Sequence, residues 1–275
     1  MCDVRRVRRM APIMALLVAV GCDRARDESP YAATLDLAPT IAQLGAEEQA
    51  DVGEAIARLA ALGDAAVPAL ERAVATEKHE IGLAALAGLG RIGSARADAA
   101  LMAVATRQTD DEIRATALLR LGEGGRPTAR PILEAALNHS SNMVSQTAAI
   151  ACGALCTSPA AIDRIVDMAV REVPAVELGR IRATLGRLLA SADQAAATHA
   201  REAIVARTAP ILAAADAPLD LRTRAALIAA DAGVADVEPV LLAAARDSTD
   251  PALRTAAIHW LGRSGSAAGV PVLDR

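Results

Sequence analysis

Two cysteines, four histidines and a short N-terminal segment hold most of the side chains of this sequence that could do chemistry. Cys152 and Cys156 stand four residues apart. On a regular helix that spacing aims the two sulfurs poorly for a bridge, so it predicts buried thiols first, a disulfide at a distorted helix end second, and metal ligation third. No matching second pair of ligands supports the metal. His79, His139, His199 and His259 recur every 60 residues, and His79 is followed by Glu80. The sequence holds no glycine-rich phosphate loop, no nucleophile-elbow serine and no His-Cys constellation. The expectation is therefore a chain that is not an enzyme, with no catalytic residue, metal site or cofactor.

The N-terminus reads as an address. Arg5, Arg6, Arg8 and Arg9 precede an apolar run from Ala11 to Gly21, which ends at Cys22 and gives way to the polar stretch Asp23 to Pro30. That is the layout of a signal peptide. The run is about half the roughly 20 residues that cross a bilayer as a helix. Ala19-Val20-Gly21-Cys22 resembles the lipobox of bacterial lipoproteins. The resemblance implies that residues 1–22 are removed down to a lipidated Cys22, and that the chain is exported and anchored to a membrane of the cell envelope. An ordinary cleaved signal, an uncleaved anchor and a different start site are the alternatives. Asp23 resembles the inner-membrane retention signal of enteric lipoproteins, and inner against outer membrane stays open. Residues 23–48 read as a tether with one short helix at Pro39 to Leu44.

What stands behind these residues is an alanine-rich, ring-poor chain. Of 275 residues 53% are apolar and 1% aromatic, with no Phe and with Tyr31 and Trp260 as single copies; about a quarter are alanine. So few rings disfavour aromatic β-sandwiches and base-stacking platforms. The net charge of −4 becomes −7 without residues 1–22, which argues against nucleic acid as a partner. The segment Glu112 to Gly122 repeats Glu80 to Gly90 at an offset of 32. Gly93, Gly125, Gly233 and Gly265 form one column, and Pro131-Ile132-Leu133, Pro239-Val240-Leu241 and Pro271-Val272-Leu273 form another. Each unit carries two apolar stripes of helical period separated by glycine, so it reads as a helix pair. In the fourth unit Cys152 and Cys156 fall at the positions of Leu121 and Gly125. The fifth holds about 13 extra residues within 174–218, placed near Ala209 to Leu212.

The period, the Leu-Gly-x-x-Gly turn and the Pro-hydrophobic-Leu start of the second helix resemble HEAT repeats of the phycobilisome-lyase HEAT-like kind, over about residues 50–275. The resemblance implies an all-α, right-handed α-solenoid of HEAT-like helix pairs over 49–275, built of about seven units. It implies a scaffold that binds an unidentified protein partner, with a HEAT-like enzyme of the lyase or metal-hydroxylase type or a structural envelope component as alternatives. Deoxyhypusine hydroxylase, a HEAT-like enzyme, binds iron through several His-Glu pairs on symmetry-related repeats. Here the positions equivalent to His79-Glu80 are Asp111-Glu112 and Pro251-Ala252, and the histidine spacing of 60 is not a multiple of 32. No ligand column results, and His79-Glu80 reads as a polar helix start. By analogy with HEAT solenoids, Glu71, Met102 and Glu134 lie near the inner surface where partners bind, with a partly solvated helix edge as the alternative. At the C-terminal end His259 and Trp260 are expected to dock a partner or a second copy of the chain, against the alternative that Trp260 folds down over its own repeat.

Overall fold

The computed structural model describes residues 36–75, 78–171 and 173–265. The signal segment with Cys22, and everything after Gly265, lie outside the described residues. The described elements are helical, with no strand among them. In chain order they are α1 (Ala38–Gln43), α2 (Gln49–Ala61), α3 (Val67–Val74), α4 (His79–Ile92), α5 (Ala95–Arg107), α6 (Asp111–Gly124), α7 (Arg130–Ala136), α8 (Asn142–Cys152), α9 (Pro159–Arg171), α10 (Ala175–Leu189), α11 (Gln194–Ala213), α12 (Leu219–Asp231), α13 (Glu238–Asp247) and α14 (Pro251–Ser264). Single 3-10 turns at Gly63–Ala65 and Pro127–Ala129 lead into α3 and α7.

Each repeat is a first helix and a second helix joined by a tight turn. Asp110 starts α6 by accepting the N–H groups of Glu112 and Ile113 at 2.9 and 3.0 Å, and Asp250 starts α14 in the same way through Ala252 and Leu253. Gly93, Gly125 and Gly265 end α4, α6 and α14 in the left-handed conformation that glycine adopts without a Cβ penalty. These three helices are 14 residues long. First helices pack on first helices, α2 on α4, α4 on α6, α6 on α8, α8 on α10, α10 on α12 and α12 on α14, while α3, α5 and α7 touch in sequence along the second row. The result is an all-α solenoid of HEAT-like helix pairs.

Burial follows the columns read from the sequence. Leu89, Leu121, Cys152 and Leu261, one per first helix, are at most 3% exposed, as are Leu70, Leu101, Leu133 and Leu241 in the second helices. A helix pair alone would leave one of these faces in water, so each repeat is stable only against its neighbour. Small residues set how close the neighbours come. A Cβ on Gly122 would sit 2.3 Å from the carbonyl oxygen of Ala151, so α6 meets α8 backbone to backbone, and only hydrogen fits at that position.

Two features depart from the plain periodic reading. The compact unit begins at Leu37, within the stretch expected to be tether: α1 packs on α2, α3 and α4, and Leu44 is 2% exposed. The short helix itself forms where Pro39 predicts it, with proline in the first turn, where a missing N–H costs nothing. Between the start of α8 and the start of α12 the chain takes 77 residues, and the extra length goes mainly into α11, whose 20 residues compare with 13 in α5 and whose last turn carries Pro210, while α10, at 15 residues, is one longer than α4 and α6.

Side-chain latches tie the repeats together at their loops. Arg114 reaches back to the Gln108 carbonyl, and Arg254 reaches back to that of Ser248 with Nη2 at 2.5 Å. Both arginines close the pattern Thr-Asp-x-x-(Ile or Leu)-Arg, at 109–114 and 249–254. Arg182 holds Asp231 through two bonds of 2.6 and 2.7 Å, joining α10 to α12. Asp220 of α12 accepts the hydroxyls of Ser248 and Thr249 at 2.6 and 2.7 Å, and these two bonds hold its carboxyl below the usual carboxylate range.

Gly122→Ala should lower the unfolding free energy by about 1–3 kcal/mol, the usual cost of overpacking. Gly124→Ala meets nothing within 4 Å and should instead gain about 0.5–1 kcal/mol from helix propensity; urea unfolding of the two variants separates close approach from a general glycine effect. Because the folded value of Asp220 lies below its unfolded value, its stabilisation is complete above the unfolded carboxylate value of about 3.9 and is lost as pH falls through the folded one. Asp220→Asn should therefore be less stable than the parent from about pH 5 upward, and unfolding curves at lower pH should show the gap closing.

Candidate functional site

The second-helix row carries the first candidate. Glu71 on α3 is exposed, and Met102 on α5 and Glu134 on α7 are half-buried. The contacts of α3 with α5 and of α5 with α7 place the three on one row of neighbouring helices. Glu134 also works within the fold, accepting the backbone N–H of Ser158 at 3.4 Å just ahead of α9. Further along, the row is knitted by ion pairs. Arg207 of α11 meets Asp163 at 3.3 Å and Asp167 at 2.7 Å on α9, and His199 meets Asp163 at 3.1 Å.

The second candidate lies where the periodicity breaks. A cleft of about 480 Å³ is lined by Leu119, Gly122 and Glu123 of α6, by Ile150 to Cys152 at the end of α8 and Gly153 to Leu155 after it, and by Arg187 of α10. Its walls are mostly aliphatic, with Glu123 and Arg187 as charged groups of opposite sign. That combination suits an apolar side chain with a polar neighbour. Thr184, fully buried, donates to the Ile150 carbonyl at 3.1 Å, and Arg187 reaches the same oxygen at 3.5 Å and Thr184 Oγ1 at 3.1 Å. Neither Thr184 nor Arg187 stood out in the sequence, because their partner is a backbone oxygen 34 and 37 residues away.

Cys152 and Cys156 form a disulfide, which corrects the expectation of two buried thiols. The expectation extended the first helix of this repeat through Cys156, as in α6. Helix α8 instead stops at Cys152, Gly153 turns the chain at φ +50°, and the two Cα atoms come to 5.1 Å. Both residues remain fully buried.

Three of the four histidines, His79, His139 and His199, each meet charged side chains rather than one another. His79 turns away from the iron-binding comparison: Nε2 lies 3.0 Å from Glu112 and Nδ1 3.5 Å from Asp110, both in the next repeat. Asp110 is held below the usual carboxylate range by the N–H of Ile113, then by that of Glu112 and by His79. His139 bonds Arg114. Among the described residues no group of three or more His, Cys, Asp or Glu is placed to hold a metal ion. At the C-terminal end, His259 is exposed and Trp260 is half-buried, packed against the apolar core.

Comparison with known proteins bears on the fold. No curated protein matches by sequence. Among solved structures, human deoxyhypusine hydroxylase is 17% identical, with 82% of this chain and 94% of that chain covered and a TM-score of 0.39. The CpcE–CpcF complex of phycocyanin lyase from Nostoc is 19% identical, with 88% and 93% covered and a TM-score of 0.41. A designed armadillo repeat protein is 16% identical, with 86% and 100% covered and a TM-score of 0.33. The expectation that the chain is not an enzyme is corrected here: solved structures similar to it include a hydroxylase and a lyase. Residues 99–186, from within α5 to within α10, match the HEAT repeats family.

Proposed function

We propose that the chain is a protein-binding scaffold, exported and held at a membrane through lipid on Cys22. The observation that carries the binding reading is the row of neighbouring second helices, which sets Glu71, Met102 and Glu134 on three successive repeats. Solenoids recognise partners through such extended surfaces because each repeat contributes a few side chains at a regular interval. The net charge of −4 suits a protein partner better than a polyanion. The address rests on the sequence alone, on the arginine cluster, the short apolar run and the Gly21-Cys22 junction.

The two halves of the reading are tested separately. Cys22→Ser should abolish incorporation of labelled fatty acid in a bacterial host, and labelling of that variant at the parental level would remove the lipid anchor. For binding, a photo-crosslinking residue is placed at position 71, at 102, or at the exposed Arg180 on the first-helix row. Positions 71 and 102 should yield the same crosslinked product from a membrane fraction, absent at 180; the absence of a product at both, or the same product at all three, would overturn the reading.

A further inference from the structure

We propose that the Cys152–Cys156 disulfide is a redox switch of helix length, which holds α8 one turn short and sets the shape of the adjoining cleft. The proposal goes beyond the scaffold reading and does not depend on it. Three first helices, α4, α6 and α14, run for 14 residues to a left-handed glycine. A helix of that length starting at Asn142 would end at Leu155 and put Cys156 at the cap. Cys152-Gly153 also matches Leu89-Gly90 and Leu121-Gly122, whose glycines sit inside α4 and α6. Nothing local to Gly153 therefore requires the helix to stop there.

The crosslink does require it. In a regular helix, residues four apart are stacked one turn above the other, with their Cα–Cβ bonds parallel and not converging. To bring the sulfurs together the chain leaves the helix after Cys152: Gly153 takes φ +50° and Leu155 N–H donates to the Cys152 carbonyl at 2.8 Å. The carbonyls that lose their intrahelical partners then need others. In a continued helix the Ile150 oxygen would accept from Ala154; here it accepts from Thr184 and Arg187 of the next repeat. The cleft is lined by Cys152 and the three residues after it, the stretch that a continued helix would rewind.

Reduction by a dithiol balances as follows. The S–S bond accepts two electrons and two protons, Cys152 and Cys156 become thiols, and the reductant becomes its own disulfide. Gly153 to Cys156 are then free to wind one further turn, with their N–H groups donating to the carbonyls of Ala149 to Cys152. Thr184 and Arg187 release the Ile150 oxygen, and the cleft changes shape. Both cysteines are fully buried, so reduction requires a local opening of Gly153 to Leu155, the stretch that lines the cleft beside Cys152.

The test uses the full chain, oxidised or treated with dithiothreitol, with thiol content checked by alkylation and mass, and hydrogen exchange read at residues 153–156. Reduction should slow exchange of the Ala154, Leu155 and Cys156 amides at least tenfold while the rest of the solenoid keeps its protection. The Cys152→Ser/Cys156→Ser double variant should show the same slow exchange without reductant. Unchanged or faster exchange at these amides in both the reduced chain and the double variant would overturn the switch. So would loss of protection throughout the solenoid, which would make the crosslink a plain structural staple.

Discussion

The structure depends on backbones that approach closely enough for each repeat to bury the apolar face of the one before it. Helix α6 meets α8 at Gly122, with the Ala151 carbonyl where a side chain would otherwise be, and alanine fills much of the remaining contact surface. A core with so few rings has little reach per side chain. It must therefore be thin, and the helices must come together until leucine, valine and alanine alone fill the gap. The leucine columns at 89, 121 and 261 and at 70, 101, 133 and 241 are that thin core seen repeat by repeat. Polar latches such as Arg182 with Asp231, and Asp220 with Ser248 and Thr249, fix the register of repeats whose apolar faces are nearly interchangeable.

Periodicity also explains where departures from it matter. The first helices of the second and third repeats both run for 14 residues, whereas that of the fourth ends after 11, beside the disulfide, and the fifth repeat is lengthened mainly in α11. The cleft lies at the start of that irregular stretch. In a uniform stack each helix end is covered by the same residue type in the next repeat; where one helix stops early, the next must reach across with different groups, as Thr184 and Arg187 do. An irregular junction is thus the place in a solenoid where side chains of unlike chemistry gather around a concavity.

The fold and most helix positions were legible in the sequence because they rest on short-range physics. The 32-residue offset, the aspartates at 110 and 250 and the glycines at 93, 125 and 265 are all local signals. The row of Glu71, Met102 and Glu134 was legible for the same reason, since equal register positions fall on equivalent helices. The 13 extra residues were bounded by counting and placed near Ala209 to Leu212, at the end of the 20-residue α11 that takes up most of them.

What the sequence could not determine is every contact whose partners are set by packing between repeats. His79 looked like half of a pair with Glu80, its chain neighbour, yet its ring lies between Asp110 and Glu112 of the following repeat. Cys152 and Cys156 looked like a buried helical pair, and only the tertiary structure shows the helix ending between them. The sequence determined a stack of helix pairs because helical period and turn chemistry act over a few residues. The tertiary structure decided the disulfide, the cleft and the histidine partners, because each depends on how far one repeat advances over the next, a quantity set by the summed packing of both.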